Sequence, residues 1–111
     1  MIKQTVIKHF QDEIPRIVEA IKQYGPRKII LFGSFVEGDV NAGSDIDLCV
    51  IKNTAARFMD RAYEAIRLVD STFAVDALVY TEQEFDRMAK EGNSLIRWIM
   101  NKGKILYEQK P

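Results

Sequence analysis

Two aspartates separated by one residue are the feature of this chain that most clearly suggests chemistry. Asp45 and Asp47 begin a segment that becomes wholly apolar toward Ile51, which is typical of a β-strand with one end in water. Because strand side chains alternate between faces, the two carboxylates share a face. Like charges held together repel each other unless a cation lies between them. Their hard oxygen atoms therefore predict a site for Mg²⁺ or Mn²⁺.

A glycine and a serine follow a second apolar segment upstream. Residues 28–32 are short, apolar and partly β-branched, and they lead directly into Gly33 and Ser34. This pattern predicts a buried strand that ends in a tight turn. Glycine lets the backbone approach a ligand, while exposed amides and a serine hydroxyl suit a phosphate. The sequence therefore predicts a polyphosphate-binding turn beside the metal site.

A third carboxylate interrupts another apolar segment. Asp76 lies within residues 73–80 and shares a strand face with Ala74 and Leu78, an expensive place for an unpaired charge. A bound metal would offset that cost, and so would exposure at the edge of the sheet. Asp76 is therefore the candidate to complete a two-metal site, with a solvated edge charge as the alternative.

The elements that must position these residues alternate between helix and strand. Residues 2–24 have apolar side chains at steps of three and four, which predicts an amphipathic helix. Pro15 inside it predicts a kink, or two helices with Pro15 in the first turn of the second. Asn53 or Thr54 is expected to cap a helix. Its predicted apolar face comprises Ala55, Phe58, Met59, Ala62, Ile66 and Val69.

The second half of the chain continues the alternation. A strand is predicted over residues 73–80, and Thr81 with Glu84 forms a capping-box pattern that opens another helix. Ser94 is expected to start a last helix that ends near Gly103, with a small strand over residues 104–107. The predicted fold class is α/β (α+β), with a small mixed β-sheet flanked by helices.

Length and composition set further limits. The 111 residues predict a single domain, residues 1–111. Sixteen basic and sixteen acidic residues cancel, which argues against direct nucleic-acid binding. The apolar runs are too short to span a membrane, and the first residues do not resemble a signal peptide. With Cys49 as the one cysteine, we expect a soluble cytoplasmic protein.

Several other residues have less distinctive patterns. His9 is expected at the surface of its helix, and Cys49 is expected to be a buried small hydrophobe. The helix over residues 94–100 carries apolar side chains around most of its surface, which indicates core burial or a partner surface. The arginines are expected to be mainly solvated; they are Arg16, Arg27, Arg57, Arg61 and Arg67.

The spacing of the chemical residues resembles a known family signature. Gly33-Ser34, ten intervening residues and then Asp45-x-Asp47 resemble the signature of the polymerase-beta-type nucleotidyltransferase superfamily. The segments LFGS and GSDIDLCV resemble its minimal nucleotidyltransferase (MNT) branch, the antitoxins paired with HEPN-domain ribonuclease toxins. This resemblance implies a polymerase-beta-like nucleotidyltransferase fold. It also implies that Gly33 and Ser34 hold a nucleoside triphosphate, that Asp45 and Asp47 hold two Mg²⁺ ions, and that Asp76 completes the metal site.

The resemblance also implies a reaction and a partner. The expected activity is Mg²⁺-dependent transfer of AMP from ATP (AMPylation) to a hydroxyl, most simply a tyrosine, of a HEPN toxin encoded by an adjacent gene. Because the nucleotidyl core takes up the whole chain, we expect another molecule to build most of the acceptor site. One departure is Val36-Glu37-Gly38, where relatives commonly have Ala-Arg-Gly. An anion in place of a cation beside a polyphosphate is expected to weaken nucleotide binding.

Two alternatives remain open. In one, the protein is a non-catalytic antitoxin that neutralises its partner by masking it, and the nucleotide site is vestigial. In the other, it transfers a nucleotidyl group to a small molecule across a homodimer cleft. The sequence is compatible with either a homo-oligomer or a hetero-oligomer.

Overall fold

A four-stranded mixed sheet forms the centre of the fold. The computed structural model describes residues 2–110. The elements in chain order are α1 (Ile2–Lys22), β1 (Lys28–Phe32), α2 (Ser34–Glu37), β2 (Ile46–Ile51), α3 (Phe58–Ile66), β3 (Val75–Tyr80), α4 (Glu82–Lys90), α5 (Ser94–Lys102) and β4 (Lys104–Glu108). The strands are ordered β3-β2-β1-β4. β2 is parallel to β3, and β1 is antiparallel to both β2 and β4. This architecture confirms the predicted fold class.

Each face of the sheet is covered by a pair of helices. One face packs against α1 and α3, around a core of Ile17, Ile21, Ile29, Leu31, Ile46, Leu48, Val50, Ala65 and Val79. The opposite face packs against α4 and α5, around Ile30, Phe32, Cys49, Ile51, Tyr80, Ile96 and Ile99. Strand alternation therefore puts Asp47, between Ile46 and Leu48, on the α4 and α5 face. Cys49 is buried there as predicted, and burial raises the pKa of its thiol to about 12.

The first helix excludes one of its two predicted forms. α1 runs without interruption from Ile2 to Lys22 with Pro15 inside it, so the division into two helices is wrong, while a kink at Pro15 stays a prediction. Proline removes one helical hydrogen bond and leaves the carbonyl four residues earlier, that of Gln11, without its donor. Pro15 and Gln11 are both exposed. Water can therefore satisfy the freed carbonyl, and the helix continues.

The third helix begins later than predicted because its expected caps have other partners. Asn53 accepts a hydrogen bond from the Glu82 amide at 3.0 Å and donates one to the Glu82 carboxylate at 2.7 Å. Thr54 accepts from the amide of Ala56 at 3.1 Å. The helix starts at Phe58, and its N-cap residue makes no side-chain capping bond.

The apolar face predicted for α3 is also partly wrong. Met59 is 81% exposed and Phe58 is 47% exposed, although the Phe58 ring still contacts Tyr80 at 5.6 Å between centroids. The residues that α3 buries are Arg61 and Ala65. The burial of Arg61 differs from the expectation that the arginines are mainly solvated.

The last two helices are capped by side chains. Thr81 accepts a hydrogen bond from the Glu84 amide while the Glu84 carboxylate accepts from the Thr81 amide, which confirms the predicted capping box. Asn93 caps α5 by accepting from the Ile96 amide at 3.0 Å. α5 buries Ile96 and Ile99 completely but leaves Trp98 and Met100 partly exposed. The helix is thus both a core element and part of the surface.

Candidate active site

The tight turn after β1 brings Gly33 against Asp47. Gly33 has φ 83° and ψ −153°, a backbone conformation that is essentially restricted to glycine. A Cβ at this position would collide with the Asp47 carboxylate and would lie 3.3 Å from its Cγ atom. Glycine is therefore required here for two reasons, the backbone angle and the close approach of a functional carboxylate.

Asp47 lies opposite Asp76 in the sheet. β2 and β3 pair in parallel with Asp47 directly across from Asp76, and Ile46 donates to the carbonyl of Ala74 at 2.9 Å. Neighbouring strands are about 4.8 Å apart, so two carboxylates stand side by side on one face. Burial, followed by the negative charges of Asp76 and then Asp45, raises the pKa of Asp47 above its ordinary value.

Asp45 and Asp76 are both more exposed than Asp47. Asp45 immediately precedes β2, rather than lying within it as predicted, and Asp76 lies on β3, an edge strand. The exposure of Asp76 is also what the alternative interpretation of Asp76, a solvated charge at the edge of the sheet, requires. The sequence-predicted aspartates are thus at one end of the sheet, with Asp47 and Asp76 paired in register and Asp45 near enough to affect the pKa of Asp47.

The donor set suits a divalent cation in its chemistry. Within residues 2–110, no three His, Cys, Asp or Glu side chains converge into a cluster that could hold a metal. Across the same residues, no basic side chain forms an ion pair with Asp45, Asp47 or Asp76. The three carboxylates therefore have no protein cation as a partner, and Asp47 is partly buried. Negative charges in this situation are suitable ligands for Mg²⁺.

Ser34 begins a short helix that the sequence analysis missed. α2 covers Ser34–Glu37, and the carbonyl of Gly33 accepts from the amides of Val36 and Glu37, both at 3.1 Å. The amides of Ser34 and Phe35 start the helix, where no intrahelical carbonyl is available to them. The Phe35 ring stacks on Phe10 at 4.3 Å and meets Phe73 edge-on at 5.4 Å. Those contacts hold the turn from the α1 side.

A buried glutamate on α1 fixes the segment that leads to Asp76. Glu13 is 8% exposed and accepts hydrogen bonds from the Ser71 hydroxyl at 2.6 Å and the Thr72 amide at 3.1 Å. The Ser71 bond is the main cause that lowers the pKa of Glu13. Sequence reasoning missed this residue. Its signal is the helical spacing, since Glu13 lies three residues after Phe10 and four before Ile17.

His9 is exposed, as predicted, and lies beside this anchor. Its Nε2 atom is 2.9 Å from the Thr72 hydroxyl and 3.6 Å from the Glu13 carboxylate. Its ring packs on Phe73 at 4.8 Å between centroids. His9 therefore supports the loop before β3 and does not face the aspartates.

The comparisons with known proteins identify the family of the chain. Residues 15–111 match the family described as polymerase beta, nucleotidyltransferase. The chain belongs to this family. The family match shows an enzyme, a nucleotidyltransferase, and confirms the resemblance drawn from Gly33-Ser34 and Asp45-x-Asp47. Enzymes of this class use a nucleoside triphosphate and a divalent metal.

One curated protein covers nearly the same length as this nucleotidyltransferase. It is described as a candidate protein adenylyltransferase of Methanocaldococcus jannaschii and is 31% identical over 97 residues, which cover 85% of this chain and 94% of that protein.

Two solved structures are similar in backbone. A candidate nucleotidyltransferase from Sulfolobus solfataricus has a TM-score of 0.57 at 19% identity, over 96% of this chain and 84% of that one. A crystal structure of a toxin-antitoxin with AMP-PNP has a TM-score of 0.47 at 21% identity, over 99% of this chain and 76% of that one. The first of these supports the fold.

Within residues 2–110, no helix is long and apolar enough to cross a membrane.

Proposed function

We propose that this nucleotidyltransferase moves AMP from ATP to a hydroxyl of a partner protein, and that residues 1–111 act as a single minimal domain. The observation that carries the proposal is the position of Asp47, which faces Asp76 across two parallel strands and lies against the backbone of Gly33. A polyphosphate bound at the Gly33 turn and a cation bound by the aspartates would be in direct contact. That contact is what nucleotidyl transfer requires.

The positions of the residues support a role for each of them in this proposal. Gly33 and Ser34 bind the triphosphate, because the glycine has no side chain to obstruct the turn and the serine supplies a hydroxyl. Asp45, Asp47 and Asp76 hold divalent metal, which we propose to be two Mg²⁺ ions. When bound, such ions lower the pKa of the acceptor hydroxyl and neutralise charge on the triphosphate.

The chemistry is an in-line displacement at phosphorus. The acceptor oxygen forms a bond to the α-phosphorus of ATP, the bond from that phosphorus to the oxygen bridging to the β-phosphate breaks, and pyrophosphate leaves. The acceptor gives up its proton, and Asp76 is placed to receive it because it is the exposed carboxylate on the edge strand. Asp47, which is less exposed, remains beside the Gly33 turn and orients the triphosphate end of the site.

The acceptor is proposed to be a protein. Asp76 lies on an edge strand, so an acceptor can approach it from outside the fold. The relative from M. jannaschii is described as a protein adenylyltransferase and aligns over almost its full length. With the MNT resemblance of the segments LFGS and GSDIDLCV, this favours an antitoxin that modifies a tyrosine hydroxyl of a HEPN toxin encoded by an adjacent gene, in the cytoplasm.

A transfer assay tests this proposal. The purified protein is incubated with α-³²P-labelled ATP, MgCl₂ and the product of the adjacent gene, and the label on that product is measured. We expect covalent label with the wild type and none with Asp47→Asn. Asp86→Asn, the same change at an exposed position on α4, is the matched control and should transfer at the wild-type rate.

The same assay separates catalysis from the alternatives. The labelled partner should stay inactive as a ribonuclease after the nucleotidyltransferase is removed. Neutralisation by Asp47→Asn that is lost when the complex dissociates would instead establish masking. Transfer of label only to an added small-molecule alcohol would replace the protein acceptor with a small one.

A further inference from the structure

Glu37 is a carboxylate at the end of α2, the short helix that begins at the candidate phosphate-binding turn. It is the last residue of α2, and its amide donates to the carbonyl of Gly33 at 3.1 Å. Its side chain is exposed and lies four residues from the turn proposed to hold the triphosphate. A negative charge that is free to move toward that turn would repel a polyphosphate, so its position matters for binding.

Trp98, on α5, forms a hydrogen bond with the Glu37 carboxylate. The indole Nε1–H donates to Glu37 Oε1 at 3.1 Å. The same indole meets the Phe32 ring edge-on at 5.6 Å between centroids, and Phe32 is the strand partner of Asp47. Trp98 is therefore fixed by Phe32 on the α5 face of the sheet, the face that carries Asp47.

Trp98 is held by the core through its helix and is also partly open to solvent. The neighbouring α5 residue Ile99 is 1% exposed, so the helix that carries Trp98 is held in the core. Trp98 itself is 36% exposed, which leaves its hydrogen bond to Glu37 within reach of solvent and of a ligand at the turn. A neutral indole donor fixes the position of the carboxylate without removing its charge.

We propose that Trp98 is a positioning residue that keeps the Glu37 carboxylate away from the triphosphate path and so sets the affinity for nucleotide. This inference rests on the proposed nucleotide site at Gly33 and Ser34. If Trp98 loses its donor, the Glu37 side chain rotates freely and spends part of its time beside the bound phosphates. Nucleotide binding then weakens because of the charge on Glu37, and the fold is unaffected.

Substitutions at the two residues separate a charge effect from a structural one. Trp98→Phe keeps an aromatic ring against Phe32 and removes the N–H donor. We expect ATP with Mg²⁺ to bind about threefold to tenfold more weakly to this variant, the size of one net hydrogen bond. Glu37→Gln keeps an oxygen acceptor and removes the charge, so its binding should equal or exceed that of the wild type. The double variant should bind like Glu37→Gln.

The double variant decides the mechanism. If Trp98 acted only by anchoring the turn, Trp98→Phe with Glu37→Gln would still lack the hydrogen bond donor and would bind as weakly as Trp98→Phe alone. Asp39→Asn is the control for charge in general, because Asp39 is an exposed carboxylate two residues further along. Combined with Trp98→Phe, it should leave the loss of affinity in place.

The experiment is isothermal titration calorimetry, in which ATP with MgCl₂ is titrated into these proteins. The hydrogen bond between Trp98 and Glu37 is measured separately by NMR in the protein without nucleotide. Trp98 is the single tryptophan, so its indole N–H resonance reports the bond to Glu37 without nucleotide and should shift in Glu37→Ala. A wild type that binds ATP, with Trp98→Phe binding equally well, would overturn this inference alone. A wild type that binds no ATP in the presence of Mg²⁺ would overturn the proposed function as well.

Discussion

The two ends of β3 carry charge in opposite ways. Near its C-terminal end, Arg61 binds the Glu84 carboxylate at 2.7 Å and donates to the carbonyls of Ala56 at 2.9 Å and Val79 at 3.3 Å. Near its N-terminal end, Asp76 faces Asp47, and within residues 2–110 no basic side chain pairs with either. At the C-terminal end of β3 the buried charges are paired, whereas at the N-terminal end two negative charges lie side by side.

This difference separates what stabilises the fold from what is available for chemistry. A buried charge whose partner is removed destabilises a protein strongly, so the Arg61–Glu84 pair is structural. Carboxylates that crowd each other reduce stability and gain most from a cation supplied from outside. Perturbed acids in such a position are candidates for function. The first group should therefore respond to mutation in stability, and the second in activity.

The largest effect on stability is expected from Arg61→Met. Its side chain is 7% exposed, and the change removes the Arg61 hydrogen bonds to Glu84 and to two carbonyls. The free energy of unfolding should fall by about 3–5 kcal/mol, measured by urea denaturation. Arg57→Met is the matched control on the same segment, because Arg57 is 79% exposed and pairs with Asp60 at the surface. That control should change the free energy by less than about 1 kcal/mol. Equal losses in the two variants would contradict the comparison.

Gly33→Ala should have the next largest effect. The change forces an alanine into a glycine-only conformation and pushes its methyl group into the Asp47 carboxylate. Gly38→Ala is the control, since Gly38 also has φ 83° but a Cβ there meets no atom within 4 Å. The control should cost about 1–2 kcal/mol, and Gly33→Ala should cost more in urea denaturation. Combining Gly33→Ala with Asp47→Ala should recover part of that difference. No recovery would assign the whole cost to the backbone.

The paired end also predicts a pH dependence. The hydrogen bond from Arg61 holds the pKa of Glu84 below its ordinary value of 4.5. The stability that this ionised group contributes is therefore present above pH 4.5 and is lost as the pH falls through the lowered pKa. Glu84→Gln should flatten the decrease of Tm below about pH 4.5, compared with Glu91→Gln, a change at the exposed C-cap of the same helix. Parallel Tm profiles for the wild type and Glu84→Gln would contradict this assignment.

The smallest stability effect belongs to the acidic end. Asp47→Asn removes one of the crowded charges, so without metal its free energy of unfolding should be unchanged or up to about 1 kcal/mol higher than in the wild type. The measurement is urea denaturation in EDTA. Addition of MgCl₂ should raise the Tm of the wild type more than that of the variant. A large loss of stability in EDTA would give Asp47 a structural role.

The sequence predicted the acidic end better than the paired end, because the two depend on different kinds of information. Asp45, Asp47 and the Gly33 turn are close in sequence, and strand alternation is enough to place Asp47 on its face of the sheet. The pairing of Asp47 with Asp76 required in addition that the two strands be parallel neighbours in the observed register, which the sequence alone did not supply. Whether Asp45, Asp47, Asp76, Gly33 and Ser34 bind metal and nucleotide stays a prediction.

The features that the sequence did not reveal depend on partners far along the chain. Arg61 is buried with Glu84 as its hydrogen-bond partner, which is 23 residues away in the sequence. Glu13 is buried with Ser71 as its partner, which is 58 residues away. Asn53 looked like a helix cap, but its side chain binds Glu82 instead. Local pattern indicates which residues are polar or apolar, whereas the partner of a buried charge is determined by the tertiary fold.

The central claim is that the acidic end of β2 and β3 binds metal and nucleotide together. Calorimetric titration of ATP into the wild-type protein, with MgCl₂ and then with EDTA, tests it most directly. The account predicts binding in MgCl₂ that is lost in EDTA, and binding in MgCl₂ that is abolished or strongly weakened by Asp47→Asn but unchanged by Asp86→Asn. Equal affinity with and without metal, or equal affinity for the wild type and Asp47→Asn, would contradict the account.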